Sequence, residues 1–317
     1  MPTRRDVLLG LGAALAVPRR VTAQPATRAH RIAVYLGAPV IDALVDALRE
    51  RGWIEGANLV VDRQSAEGSE GRVGEQLARF KPDLIVAGAP HRIRAAMHAT
   101  TTIPVVGIDL EADPVASGFV KTLARPGGNV TGIWMDLPEL AGKQIQFLRE
   151  VLPSLQRLGV VWDDRIGQLQ FAAIETISRR IGITLASVPL RQTTEIEGVL
   201  KRLVAERPQA VLLLTAPVVF LSLGRIAETT ARSRLPSISP FSPYPGAGGL
   251  MAYGPDFPAM WRQLGSYVDR VLRGARPGDL PVERPSKFSL IVNRKTARDI
   301  GLSLPESLIL RADEVIT

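Results

Sequence analysis

From Arg31 onward the chain alternates short apolar, β-branched runs with amphipathic stretches. Arg31-Ile32-Ala33-Val34-Tyr35-Leu36 is apolar at five consecutive positions, as a strand buried on both faces requires, and Ile41, Leu44, Val45 and Leu48 follow at helical spacing. Gly52 stands just past that helix as a C-cap, and Leu59 to Asp62 reads as the next strand. Val73, Leu77 and Phe80 mark a second helix face, Leu84-Ile85-Val86-Ala87 a buried strand, and Ile93 and Met97 a third helix. Ile103-Pro104-Val105-Val106 gives a fourth strand. The turn Pro126-Gly127-Gly128-Asn129 precedes a fifth, Val130 to Trp134. Such βα alternation predicts a parallel sheet covered by helices.

The second half repeats the plan at an offset of 126 residues: Arg31-Ile32-Ala33-Val34-Tyr35-Leu36-Gly37 is echoed by Arg157-Leu158-Gly159-Val160-Val161-Trp162-Asp163. The run from Pro82 to Pro90 is echoed by the run from Pro208 to Pro217, with one extra residue by its end. Between them, Phe171, Ile174, Ile177 and Ile181 form one helix face and Ile196, Val199, Leu200 and Leu203 another, with a strand from Ile183 to Val188. A period this long does not suit a solenoid. It predicts an α/β protein of two doubly wound, Rossmann-like lobes with a ligand cleft between them.

Beyond the repeat, Leu250 to Tyr253 reads as a strand and Trp261, Leu264, Val268 and Val271 as one face of a long helix ended by Gly274. A last strand, Lys287 to Val292, precedes a short helix. These elements are expected to return across the cleft and complete the two sheets instead of forming a third domain. One lobe then comprises residues 30–132 with about 256–285, and the other 133–255 with about 286–317. Three crossing segments would form a hinge.

The first 23 residues follow another plan: Arg4 and Arg5 precede an uncharged Leu-, Gly-, Ala- and Val-rich stretch from Val7 to Val17, and Val21-Thr22-Ala23 offers small residues before Gln24. This is the layout of a cleaved signal peptide of the twin-arginine type, and the apolar run is shorter than the roughly 20 residues that span a bilayer. Export to the periplasm is the expectation. The formal charge of +8 falls to +5 once these residues are removed, with 35 basic and 30 acidic side chains remaining. No basic block stands out and aromatics are 5%, which argues against a nucleic-acid groove.

Catalytic patterns are missing. Cysteine is absent, so neither a disulfide framework nor a lipidated cysteine is available. The Gly-x-Gly-x-x-Gly fingerprint is absent after the first strand, the similar run Gly10-Leu11-Gly12 lying inside the signal core, and no Gly-x-Ser-x-Gly elbow exists. Histidines are limited to His30, His91 and His98, which do not make a zinc set. No cofactor and no metal are expected, and an enzyme reading would rest on fold analogy alone.

Several runs carry a resemblance. They are Arg51-Gly52-Trp53-Ile54-Glu55-Gly56-Ala57-Asn58-Leu59, Ala99-Thr100-Thr101-Thr102-Ile103-Pro104-Val105, Ala112-Asp113-Pro114-Val115 and Leu123-Ala124-Arg125-Pro126-Gly127-Gly128-Asn129-Val130-Thr131-Gly132. Later come Glu139-Leu140-Ala141-Gly142-Lys143, the run from Gly248 to Asp256, and Arg311-Ala312-Asp313-Glu314-Val315. Together they resemble the ABC-transporter substrate-binding family that includes tryptophan- and phenylalanine-binding members, over residues 30–317. The resemblance implies a type I periplasmic-binding fold that closes on a small-molecule ligand, an amino acid or related carboxylate or amine, and delivers it to an ABC permease. It implies a non-enzymatic monomer. The chain departs from its relatives at Trp162-Asp163-Asp164, where an Asn-Pro pair is frequent, and at His91, where a small residue is common.

In open α/β sheets ligands sit beyond the carboxyl ends of the strands. The candidate ligand residues are therefore Ala38, Pro39, Gly88, Ala89, Pro90, His91, Asp109 and Asp113 in the first lobe. In the second they are Trp162, Asp163, Asp164, Thr215, Ala216, Pro217 and Phe241, with Pro240 beside the last. A ligand carboxylate would rest on backbone N–H groups near Gly88 to His91 or at Thr215. A cationic amine would face Asp113 or Asp163, and Phe241 or Trp162 would cover the apolar part. Each has a plainer alternative: a helix cap for Asp163 and Asp164, a turn for Asp113, a core position for Trp162. Two other functions share the architecture. A ligand-sensing subunit for a membrane receptor is indistinguishable by sequence, and a LacI-type regulator would need a DNA-binding helix-turn-helix ahead of Arg31.

Overall fold

Two strands organise the molecule, and they are the two runs singled out by the repeat. In the computed structural model, which describes residues 28–64, 72–109 and 113–317, β1 (His30–Tyr35) is flanked by β2 (Leu59–Arg63) and β3 (Leu84–Gly88). With β4 (Val105–Ile108) and β5 (Val130–Ile133) they form a parallel sheet of order β2-β1-β3-β4-β5. The second sheet centres on β6 (Arg157–Trp162), flanked by β7 (Thr184–Pro189) and β8 (Ala210–Leu213). It continues through β9 (Ser237–Ser239), β10 (Met251–Pro255), β11 (Phe288–Asn293) and β12 (Glu314–Ile316), in the order β12-β11-β10-β9-β8-β6-β7. Among the described residues only the β10–β11 pair is antiparallel.

Each strand feeds both faces because successive side chains alternate. Ile32, Val34, Leu84 and Val86 pack on α1 (Ala38–Arg49) and α10 (Phe257–Leu272), while Ala33, Tyr35, Ile85 and Ala87 face α2 (Val73–Phe80) and α3 (Pro90–Ala99). In the second sheet Leu158, Val160 and Leu212 meet α4 (Leu137–Val151), α5 (Gln168–Arg180) and the C-terminal α11 (Arg294–Asp299) and α12 (Glu306–Arg311). Val161, Val211 and Leu213 meet α6 (Ile196–Ala205), α7 (Pro217–Leu221), α8 (Leu223–Arg232) and α9 (Pro243–Gly246) on the other face.

The repeat extends to hydrogen bonds that fix the strand starts. Arg31 N–H donates to Asp83 Oδ2 (2.8 Å) and its Nε to Phe80 O (2.8 Å); at the same offset Arg157 N–H donates to Gln209 Oε1 (3.0 Å) and its Nε to Glu206 O (2.6 Å). Lys81 and Arg207, also equivalent, both adopt the left-handed region at φ 51° and 49° to turn the chain into the next strand. The repeat therefore encodes one βαβ construction twice.

Two parts of the pattern were not anticipated. β9 has a single apolar residue among three, too few to show an alternation, and its serines are buried: Ser237 accepts from Tyr244 Oη (2.8 Å) and Ser239 Oγ from the Phe241 N–H (3.1 Å). The C-terminus carries two helices and the edge strand β12 instead of one helix, with β12 pairing parallel to β11. The expected signal peptide lies outside the described residues.

Among the described residues the chain passes between the sheets three times. It leaves β5 through Trp134 to Asp136, returns at Asp256 into α10, whose Met260, Leu264 and Val268 pack in the core under the first sheet, and crosses again over residues 283–287 into β11. The crossings are tied together. Trp134 N–H donates to Glu283 O (2.8 Å), Asp256 N–H to Lys287 O (2.9 Å), and the Lys287 ammonium lies 3.0 Å from the Asp256 carboxylate. Arg284 spans Asp136 (2.6 Å) and Glu139 (2.8 Å) with its guanidinium 4.7 Å above the Trp134 ring. Burial pushes the Asp136 carboxyl up despite Arg284 beside it.

Candidate functional site

The sheet orders place the predicted loops side by side. β1, β3 and β4 are neighbours in the first sheet, as are β6, β8 and β9 in the second, so the loops after their carboxyl ends make one continuous rim on each sheet.

On the first rim, Ala38 and Pro39 begin α1. Gly88 ends β3, where a Cβ would meet the tip of the Leu36 side chain, Cδ2, at 2.5 Å. Ala89 follows at φ 65°, its N–H bonded to Ile108 O (3.2 Å), and Pro90 opens α3. His91 is half-buried and, with Val73, Arg94 and His98, lines a groove of about 520 Å³ between α2 and α3. Asp109 takes φ 62° at the end of β4, its N–H donating to Ile133 O (2.9 Å). Asp113 is exposed, and its Oδ1 accepts the N–H groups of Val115 (2.9 Å) and Ala116 (3.0 Å). That carboxylate makes the turn anticipated as the plainer alternative.

The second rim corrects three assignments. Trp162 is only 8% exposed: its ring stacks on Phe171 (4.2 Å, 10° between planes) and its Nε1 donates to Ser187 Oγ (2.9 Å), so it is spent in the core and not on a ligand's apolar part. Asp163, 3% exposed, already holds a cation. Arg165 Nε donates to Oδ1 (2.9 Å), Nη2 to Oδ2 (2.7 Å), and the Arg165 N–H to Oδ1 (3.0 Å). Thr215 N–H is occupied by Gln170 Oε1 (3.2 Å), which removes it as a carboxylate donor. Asp164 is paired too, receiving Arg191 Nε (2.8 Å) and Nη2 (2.6 Å), and the Arg191 guanidinium holds this carboxyl below its usual range. Arg165 also donates to Arg191 O (2.7 Å), which joins the loops after β6 and β7.

Asp163→Ala is therefore expected to act first on folding. It removes three hydrogen bonds from one buried carboxylate, but Arg165 is well exposed and returns to water, so the loss is about 2 kcal/mol of stability. Urea denaturation of the unliganded variant measures it; an unchanged midpoint would mean that the clamp contributes nothing.

Ala216 is buried and Pro217 exposed at the start of α7. Phe241, 6% exposed, sits in an aromatic row that sequence reading did not assemble. Phe220 on α7 meets it edge-on (5.1 Å, 69°), Phe257 stacks on it (5.7 Å, 23°), and Trp261 follows Phe257 (6.1 Å, 29°). Phe220 keeps 41% of its surface exposed and Phe257 packs against the cores on both sheets, so the row runs from the second rim to the start of α10. Arg165, Arg191, Gln170, Phe220 and Phe257 had no motif to announce them. Their partners are 2 to 45 residues away in sequence, and only the Phe257-Trp261 spacing, i and i+4 on one helix, carried a local signal.

Among the described residues no helix is long and apolar enough to cross a membrane, and no three His, Cys, Asp or Glu side chains are placed to hold a metal ion. Residues 38–316 match the model of the family described as ABC transporter substrate binding protein. A tyrosine-binding protein of Clostridioides difficile is 23% identical over 278 residues, 85% of this chain and 79% of that one. Among solved structures, a conserved domain protein from Vibrio cholerae is 25% identical with a TM-score of 0.78, covering 91% of this chain and 99% of that one. An ABC domain from Streptococcus pneumoniae in complex with L-Trp is 24% identical with a TM-score of 0.75, covering 91% and 100%.

Proposed function

The chain belongs to the ABC transporter substrate-binding protein family, whose work is binding and not catalysis, and we propose that its ligand is an amino acid with an aromatic side chain. The observation that carries this reading is the aromatic row Phe220, Phe241 and Phe257 at the second rim, whose exposed end, the Phe220 ring, offers a face suited to a flat apolar group. The relatives' ligands, tyrosine and tryptophan, have that shape. The loops at Ala38 and Pro39, Gly88 to His91, Asp109 and Asp113 supply the facing wall, and those at Asp163, Asp164, Thr215 to Pro217 and Phe241 the near one. Residues 30–132 with about 256–285 and residues 133–255 with about 286–317 move as two bodies about the three crossings, closing on the ligand. Closure presents it to an ABC permease. Export through a twin-arginine signal cut before Gln24 places this step in the periplasm.

Both arms of the test use the purified mature chain. Native mass spectrometry before and after partial unfolding identifies a carried ligand, and thermal shifts follow for L-tyrosine, L-tryptophan and L-phenylalanine. A true ligand stabilises by about 2.7 kcal/mol at a hundredfold excess over Kd. A shift with sugars or polyamines and none with these three amino acids would overturn the aromatic assignment.

A further inference from the structure

Gln170 lies in the first turn of α5, and with Ile174 and Ser178 it is buried on the inner side of that helix. Its carboxamide reaches the end of β8, where Oε1 accepts the Thr215 N–H at 3.2 Å. The remaining polar atoms of this pair are unpaired: Gln170 Nε2 and Thr215 Oγ1 are both buried without a hydrogen-bond partner, and Gln170 as a whole is 2% exposed. Buried side-chain polar atoms are overwhelmingly paired, so an unmet Nε2 donor on a side chain whose Oε1 is already in use is unusual. Two orphan atoms on directly bonded neighbours, beyond the carboxyl end of a central strand, call for a third group. The site is on the second rim, and Thr215 is only half-buried, so one side of it borders that rim.

We propose that Gln170 and Thr215 form a relay that receives the ligand's carboxylate. This rests on the reading of the ligand as an amino acid. Gln170 Nε2 donates to Thr215 Oγ1, and the Thr215 O–H donates to a carboxylate oxygen. One step of about 120° about Thr215 χ1 exchanges hydroxyl and methyl between staggered wells. The present rotamer gives up no partner in that step. A carboxylate is the fitting acceptor because it offers only lone pairs, which matches a pair whose unmet need is for an acceptor. In this scheme Thr215 touches the ligand and Gln170 is a positioning residue acting through it. The Thr215 N–H stays on Gln170 throughout, so recognition passes through the side chain and not through the backbone.

The experiment is calorimetric titration of the full mature chain with L-tyrosine and L-tryptophan, each beside its carboxamide, which lacks the anionic oxygen. The wild type is expected to prefer the acid. Thr215→Val lowers acid affinity about tenfold and leaves amide affinity nearly unchanged. Thr215→Ser keeps the preference, Gln170→Leu narrows it, and the Thr215→Val/Gln170→Leu double variant loses no more than Thr215→Val alone. The unliganded melting temperature of Thr215→Val stays level or rises, because Oγ1 has no partner in the fold, whereas Gln170→Leu lowers it by leaving the Thr215 N–H without its acceptor. In a purely structural pair Thr215→Val would itself melt lower and the acid-to-amide ratio would be unaltered, and that result, or a Thr215→Val chain that does not fold, overturns the relay. A wild type that binds an aromatic amino acid without preferring the acid overturns the relay alone; one that binds no amino acid overturns the parent reading and the relay with it.

Discussion

Gly132→Ala is expected to destabilise the protein by about 4 kcal/mol, a severe effect for the addition of one methyl group. Gly132 lies in β5 directly opposite Gly107 of β4, at φ 142°. A Cβ there would stand 1.9 Å from Gly107 O and 2.7 Å from its carbonyl carbon and its nitrogen. These are backbone atoms of a paired strand, so they cannot swing away as a side chain would; relief requires parting β4 from β5. The next-but-one residue, Trp134, begins the first crossing, so the damage would reach the segment where Trp134 bonds to Glu283. Gly128 is the control. A Cβ there meets nothing within 4 Å, and Gly128→Ala is expected to stay within about 0.5 kcal/mol of wild type. Urea midpoints at an unchanged slope give both values. Equal midpoints for the two variants would show that the close approach of β4 and β5 does not constrain the fold.

The fold was legible wherever burial on both faces forced a continuous apolar run. Arg31 to Leu36 and Arg157 to Trp162 announced the two central strands because parallel strands under helices are apolar on both faces unless a buried polar side chain finds a partner. The same physics hid β9, whose Ser237 and Ser239 are buried with their hydroxyls paired to Tyr244 and the Phe241 N–H. A serine so paired looks in sequence like a loop serine. α10 packs under the first sheet although it follows β10 of the second sheet in sequence. Its anchor on Leu44 and Leu48 through Leu264 and Val268 joins residues more than 200 positions apart, beyond any local periodicity.

The rims were legible as places and less so as chemistry. Strand order fixes which loops stand together, so Gly88, Asp109, Asp163 and Thr215 could be named from topology alone. What each side chain does depends on partners brought by other elements. By sequence Asp163 suits a ligand's amine or a helix cap, and Trp162 a ligand cover or the core; Arg165 folded onto the carboxylate, and Phe171 and Ser187 against the indole, decide what each side chain does. Two-residue spacings such as Asp163 to Arg165 carry no fixed geometry in a loop. The sequence therefore gave no means of telling a clamped carboxylate from one awaiting an amine.

Phe241 separates packing from recognition. Phe241→Ala is expected to cost about 3 to 4 kcal/mol, the range for emptying a buried aromatic site, because its ring fills the space between Phe220 and Phe257 and its own surface is nearly all covered. The loss should be felt on both sheets, since Phe257 also packs against the core under the first sheet. That cost would mask any effect on the ligand, so the informative comparison is Phe241→Leu. Leucine restores most of the volume and should recover all but about 1.5 kcal/mol of stability, while removing the aromatic face. If the ligand's ring lies on this row, Phe241→Leu binds an aromatic amino acid more weakly by about 0.5 to 1.5 kcal/mol, which is the increment of an aromatic pair beyond burial, and binds leucine as well as before. Calorimetry on the folded Phe241→Leu chain reads both. Equal weakening toward tyrosine and leucine would assign Phe241 to the core alone and move the ligand's apolar part onto Phe220, whose ring is the exposed end of the row.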